Sequence, residues 1–595
     1  MKFPPRLCRC ALLALALIPA ATLPAEEFLT GEWKGDEHPE FGQRLEGKYL
    51  VTNHTAQKVT AQVQLILVPD PELRPAADLK PSGPPVAEFK KSVTLAANGS
   101  AEIPFTTSQV LLPGSYSLLA NVASPALGSS LSNQHRIFGM TEPLAKVGPE
   151  SMFGIDGSDP KLAPLIRRLG VGWFRYENLK WAMVSPAPGE FAYDGTVKPW
   201  ELRVDDILKG YRDLGISLCP MMFMTPQHAS SAGPEIPENR RYSYPPRDNA
   251  EATQFWFQTA ARYGKNRQVP PADLKTTDKR TGLDLVQVYE IWNEMNLHDP
   301  GWGFWVGTMD QYFQMFRPAA EAVKKADPQA IVSSGAYAGT EVKLAQEFLD
   351  YKYPDGKCPL DFVDLLNMHF YTGRVPPELA TSDPNVYHTG RPQPGRPFED
   401  EVKALCAWRD EHKPGLPIWI TETGYDSAGP YGLSEPLQAA RIPRMLMLAL
   451  GNGIGKVFLY REGGSSPQQH GASGIFRNDG TMKPSFFSYA TLIRTLDGAQ
   501  PTGRIDYPDK NVRLYGWKRG DKQILSAWAV EGEAEIDLPL GDCTVTDTFG
   551  SAHPARGLRH VRLTEFPSYF LDFADLTPMR TYLESLQKKP AAGPP

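Results

Sequence analysis

Two short stretches of this chain place a carboxylate at the end of an apolar run. Val288-Tyr289-Glu290-Ile291-Trp292-Asn293-Glu294 closes on an Asn-Glu pair, and Ile418-Trp419-Ile420-Thr421-Glu422 closes on a second acid. One such residue alone is as well explained by a helix cap or an ion pair. Two strand-end acids with aromatic neighbours, facing one another across a cavity, are what cleavage of a glycosidic bond requires: one protonates the departing oxygen and the other attacks the anomeric carbon or activates the water that does. Nearby residues suit supporting parts. Arg175 can orient Glu422 or hold it ionised, Tyr371 can donate a hydrogen bond to the same carboxylate, and His369, two positions earlier, falls on the same strand face as Tyr371. Asn293 has the chemistry to hydrogen-bond a substrate hydroxyl. Trp302, Phe304 and Trp305 follow the first acid and offer flat apolar faces to sugar C–H surfaces, and Trp181, His228, His298 and Glu462 complete the candidate contacts.

For these residues to meet, the fold must gather segments far apart in the chain. Short apolar stretches at 152–155, 171–175, 216–222, 285–292, 331–334, 363–369, 418–421 and 456–459 alternate with segments of helical periodicity, such as 161–169 and 310–326. Eight such strands predict an α/β fold, a (β/α)8 TIM barrel over 149–498, in which the strand ends open onto one face. Glu294 then ends the fourth strand and Glu422 the seventh. Pro318 is expected to interrupt or kink the helix at 310–326. The Pro- and Gly-rich stretch 374–397 is expected to be a long loop on the rim, and Asp156 and Asp159 to be turn residues.

Alternating apolar positions on either side of the barrel predict an N-terminal β-sandwich over 26–148 and a C-terminal one over 499–576, followed by a C-terminal tail at 577–595 whose polar, proline-rich end from Gln587 is expected to be mobile. Val59, Ala61, Val63, Leu65 and Leu67 show the two-residue period. Residues 1–25 carry Lys2, Arg6 and Arg9, then an apolar run from Ala11 to Ile18, then small residues to Ala25. This pattern predicts a secretory signal, a secreted or periplasmic protein and no stable membrane insertion. Cys219, Cys358, Cys406 and Cys543 are widely spaced with no metal-ligand pattern, and at most one bridge is expected among them.

Composition narrows the alternatives. Acidic residues number 68 and basic ones 62 in 595, without a basic stripe, which argues against a nucleic-acid partner. Gly 51 and Pro 56 favour a chain with many turns over a helical solenoid. No Gly-rich phosphate cradle, His-Glu-x-x-His metal motif or serine nucleophile elbow is present. Glycoside hydrolysis needs no cofactor, and the partner implied is an oligo- or polysaccharide.

The two acid-bearing segments, with Gly172-Trp173-Phe174-Arg175, His369-Phe370-Tyr371 and Asn478-Asp479-Gly480-Thr481-Met482-Lys483-Pro484, resemble clan A glycoside hydrolases, most closely family 39 and related family 5 enzymes. The resemblance implies that Glu294 is the acid/base, Glu422 the nucleophile, and the reaction a retaining double displacement through a covalent glycosyl-enzyme. It implies that Asn293 contacts the sugar 2-hydroxyl. The chain departs from common members in having Met295 where many have proline, and in ending its eighth strand as Phe458-Leu459-Tyr460-Arg461-Glu462. These departures leave the specificity open. The alternative is a non-catalytic carbohydrate-binding or scaffold protein on the same barrel.

Overall fold

The computed structural model describes residues 28–79, 84–383, 391–464, 466 and 470–587. The expected secretory signal lies outside the described residues, as do 384–390 of the loop at 374–397 and 588–595 of the expected tail.

Strand alternation builds the N-terminal part. A three-stranded sheet (Leu29–Gly35, Glu46–Asn53, Ser100–Thr106) faces a four-stranded one (Ala87–Leu95, Val59–Pro69, Gly114–Ser124, Ser129–Gly139), all neighbours antiparallel. Val59, Ala61, Val63, Leu65 and Leu67 point inward and pack in one core with Trp33, Tyr49, Ile103 and Phe105 of the other sheet.

Eight parallel strands follow: Phe153–Gly157, Trp173–Tyr176, Ser217–Leu218, Val288–Glu290, Ile331–Ser333, Leu366–Tyr371, Ile418–Gly424 and Lys456–Leu459. The last pairs with the first, Val457 opposite Phe153, which closes the barrel. The third and fourth strands share no ladder; the Trp292 N–H donates to the Met222 carbonyl at 3.1 Å and joins them there. The strands are buried on both faces, so they are nearly continuous apolar runs, as parallel strands covered by helices must be. A Thr308–Gln311 capping box opens the helix Met309–Ala326, which continues through Pro318 instead of stopping there, at the cost of one backbone donor.

The C-terminal part is one continuous antiparallel sheet of six strands in the order Gln500–Ile505, Val512–Arg519, Lys522–Ala529, Ser568–Leu571, Glu533–Thr546, Ala552–Thr564. It is sandwich-like in that Leu514, Leu525, Ile536, Leu538, Leu563 and Phe570, from both halves of the sheet, share one core. The expected tail at 577–595 begins instead as a helix, Thr577–Gln587, which buries Met579 and Leu583 against that core. Amphipathic spacing outweighed the polar composition of this segment.

The three parts are packed together. Phe138 of the N-terminal part stacks on Phe487 of the barrel at 4.3 Å, and Phe549 of the C-terminal part meets Phe138 at 5.6 Å. Trp528 of the C-terminal sheet and Arg444 of the barrel helix Glu435–Gly451 both bond Glu378, while Arg513 and Tyr515 of the sheet bond Glu399, so the sheet helps hold the segment that follows the sixth barrel strand. All four described cysteines are buried free thiols. No helix among the described residues is long and apolar enough to cross a membrane.

Candidate active site

The strand ends on one face of the barrel converge on two carboxylates. Glu294 follows the fourth strand and has a left-handed backbone (φ 46°), as has Trp292 (φ 83°), a conformation uncommon for bulky residues. It is fixed by three bonds: the Trp292 N–H to Met222, the Trp292 indole N–H to the Phe304 carbonyl at 2.9 Å, and the Glu294 N–H to the Ala336 carbonyl at 2.7 Å. Glu422 lies in the seventh strand beside a β-bulge. Met368 pairs with Ile420 and His369 pairs with Glu422, so Thr421 is the extra residue. The bulge lets the adjacent side chains of Thr421 and Glu422 both face the site, which strict alternation would forbid.

Arg175 is the hub beneath them. Its guanidinium forks onto Glu290 (2.9 and 2.6 Å) and also donates to Asp156 at 2.8 Å, Glu422 at 2.6 Å and Asn293 at 2.7 Å. Tyr371 donates to the other Glu422 oxygen at 2.7 Å. Burial pushes the Glu422 carboxyl up, but His369, Arg175 and Tyr371 outweigh it and hold the group below its usual range. Asp156 is raised by the same burial despite Arg175, with the Glu422 and Glu177 carboxylates adding to the rise. His369 Nδ1 lies 3.0 Å from Glu294 Oε1 and 3.5 Å from Glu422 Oε2, so the histidine bridges the two acids. Carboxylate oxygens of Glu294 and Glu422 and a ring nitrogen of His369 all lie within 4.8 Å of one another. That spacing would also suit a cation, in competition with the Arg175 guanidinium already on Glu422.

Glu294, Glu422, Arg175, Asn293, His369 and Tyr371 are thus brought together. Arg175 is completely buried under the carboxylates, so it orients them and cannot reach a ligand. Asn293 spends its carbonyl on Arg175, and its amide N–H₂ has no partner among the described residues. Three candidates fall elsewhere. Trp305 is fully buried against Trp292 and Tyr312, its indole N–H donated to the Thr308 carbonyl, and Trp181 is fully buried and stacked on Phe255; both are core. Large aromatics near strand ends fill the space between loops and helices as readily as they line a cavity. His228 turns to Glu251 at 3.1 Å and Ser185 at 3.3 Å. Trp302 is 60% exposed on the loop that follows Glu294.

Several participants were not anticipated. Asp156 is a buried strand residue, not part of a turn; Asp159 does cap the short helical turn Pro160–Leu162. Glu290 and Asn367 are buried polar residues within apolar strands, and that misfit was the available signal. Tyr460, from the divergent eighth-strand end, sits with its ring 6.1 Å from that of Tyr371 and supplies an aromatic wall there. Lys180 overlies the Phe223 ring at 5.1 Å beside this cluster, and burial pushes its ammonium below the ordinary range.

Residues 275–529, from before the fourth barrel strand into the C-terminal sheet, match the model of glycosyl hydrolases family 39. A β-xylosidase of Caldicellulosiruptor saccharolyticus is 26% identical over 410 residues, 66% of this chain and 74% of that protein. A β-xylosidase of Geobacillus stearothermophilus is 27% identical over 265 residues, 43% of this chain and about half (48%) of that protein. A family 39 glycoside hydrolase from the gut symbiont Bacteroides cellulosilyticus WH2 has the same fold, with a TM-score of 0.61 at 17% identity over 91% of this chain and all of that one. With strand-end acids at the mouth of a closed barrel, these likenesses mark the chain as a glycoside hydrolase, an enzyme of O-glycosidic bonds, similar to family 39 of clan A.

Proposed function

We propose that Glu422 is the nucleophile and Glu294 the acid/base of a retaining β-glycosidase acting on oligo- or polysaccharide, with β-xylosides the first substrates to try. The observation that carries this reading is the spacing of the acids. Their nearest oxygens lie within 4.8 Å, close to the roughly 5–5.5 Å that direct displacement needs and short of the roughly 6.5–9.5 Å that would admit a water between them. The Glu422 carboxylate attacks the anomeric carbon as the C–O bond to the leaving group breaks, and Glu294 gives its proton to the departing oxygen. Water, deprotonated by Glu294, then displaces Glu422 with a second inversion. The two β-xylosidases among the relatives support the choice of sugar. The charged start, apolar run and small residues of the first 25 positions support action outside the cytoplasm.

The test is Glu422→Ala assayed on an aryl β-xyloside with and without azide. We expect a loss of at least about 10⁴-fold, partial recovery with azide, and an α-glycosyl azide as the rescued product. Wild-type turnover in the unrescued variant would exclude Glu422 as nucleophile.

A further inference from the structure

A chain of buried hydrogen bonds runs behind the two acids and has a definite direction. Both oxygens of Glu290 are taken by the Arg175 fork, so this carboxylate only accepts. Asn367 must therefore turn its N–H₂ toward Glu290, at 3.1 Å, which leaves its carbonyl to accept from the Thr421 hydroxyl at 2.8 Å. The single Thr421 proton is spent there. His369 Nε2, 3.1 Å from the Thr421 oxygen, has to be the donor. Asn367, His369 and Thr421 are all buried, so no solvent is at hand to reverse the order.

With Nε2 protonated, a neutral His369 offers only a lone pair at Nδ1, 3.0 Å from Glu294. An ionised Glu294 facing that lone pair would be unsatisfied, whereas a proton between them satisfies both. The pair Glu294–His369 thus holds one transferable proton. The other charged or titratable groups around it are Glu422, with Oε2 at 3.5 Å from Nδ1, Tyr371 on Glu422, and Glu290, Arg175 and Asp156 beneath. Among the described residues, Thr421 is the hydrogen-bond partner of Nε2.

We propose that Thr421 and Asn367 are positioning residues of the acid: they keep His369 protonated at Nε2, so that Nδ1 accepts and Glu294 keeps the proton destined for the leaving group. This inference rests on the assignment of Glu294 as acid/base. Without the Thr421 acceptor the ring can take the opposite tautomer, with Nδ1–H donating to an ionised Glu294, and the transferable proton is lost at lower pH.

The experiment is kcat/KM against pH for Thr421→Val and Thr421→Ser on two aryl β-glycosides, one with a poor and one with an activated leaving group. In Thr421→Val the alkaline limb should move to lower pH by about one unit, the worth of one net hydrogen bond. The loss at neutral pH should be about tenfold or more on the poor leaving group and small on the activated one, and Thr421→Ser should restore both. An unmoved alkaline limb, or a loss equal on both substrates, overturns the proposal. Glu294→Gln on the same substrates separates the two claims. If it spares the poor leaving group, the acid assignment and this inference fall together; if it does not, an unmoved limb in Thr421→Val removes this inference alone.

Discussion

Glu462 accepts the backbone N–H groups of Ser158 and Asp159 on one oxygen, at 2.5 and 2.7 Å, while its other oxygen is buried without a partner among the described residues. Gly157 makes room for it, since a Cβ there would fall 2.1 Å from the carboxyl carbon. Burial pushes the group up to about 7 despite the two N–H donors. Between about pH 4.5 and 7 the folded protein therefore holds a proton that the unfolded chain has released, so this residue's contribution to stability falls as pH rises through that window and is level above it. Glu462→Gln, which stays neutral, should gain about 3 kcal/mol on the wild type between pH 4.5 and 8, read as the difference in unfolding free energy. A constant difference would show that Glu462 does not titrate there. Glu294 and Glu422 were legible in the sequence because acids that end apolar runs are conspicuous. Asp156, Glu290 and Asn367 were not, because each needs a cation or amide partner contributed by a different strand before its burial makes sense.

The barrel strands were legible as apolar runs at 152–155 through 456–459, since their burial on both faces leaves few polar positions to obscure them. The bulge at Thr421 was not, because a register shift is a property of two paired strands and leaves no mark on either alone. The same distinction separates the tryptophans of the loop after Glu294. Trp305, fully buried between Trp292 and Tyr312, should cost about 3–5 kcal/mol on truncation to Ala, seen as a lowered denaturation midpoint. Trp302, exposed on the same loop, should cost no more than about 0.5 kcal/mol as Ala. Its loss should instead raise KM for long oligosaccharides relative to aryl monoglycosides. Equal KM changes on both would remove it from the substrate path.

Across the whole molecule, the C-terminal sheet grips the segment that follows the sixth barrel strand. Glu378 takes Arg444 at 2.5 Å and the Trp528 indole at 2.6 Å, and all three side chains are buried. Removing the acid leaves the buried Arg444 guanidinium with only Glu565 at 3.4 Å as a counter-charge, so Glu378→Ala should destabilise the fold by about 3 kcal/mol, measured by denaturant unfolding, and should impair activity before global unfolding is detected. Unchanged stability would show that the grip is dispensable. Interdomain pairs of this kind were beyond the reach of the sequence, which announced each flanking sheet by its alternation but not what either would touch. The segment after the sixth barrel strand is thereby held by two modules at once. Shuffling the C-terminal sheet between relatives should succeed only when the stretch from Glu378 to Glu399 travels with it, so this barrel segment and the accessory sheet are expected to be inherited as a single unit.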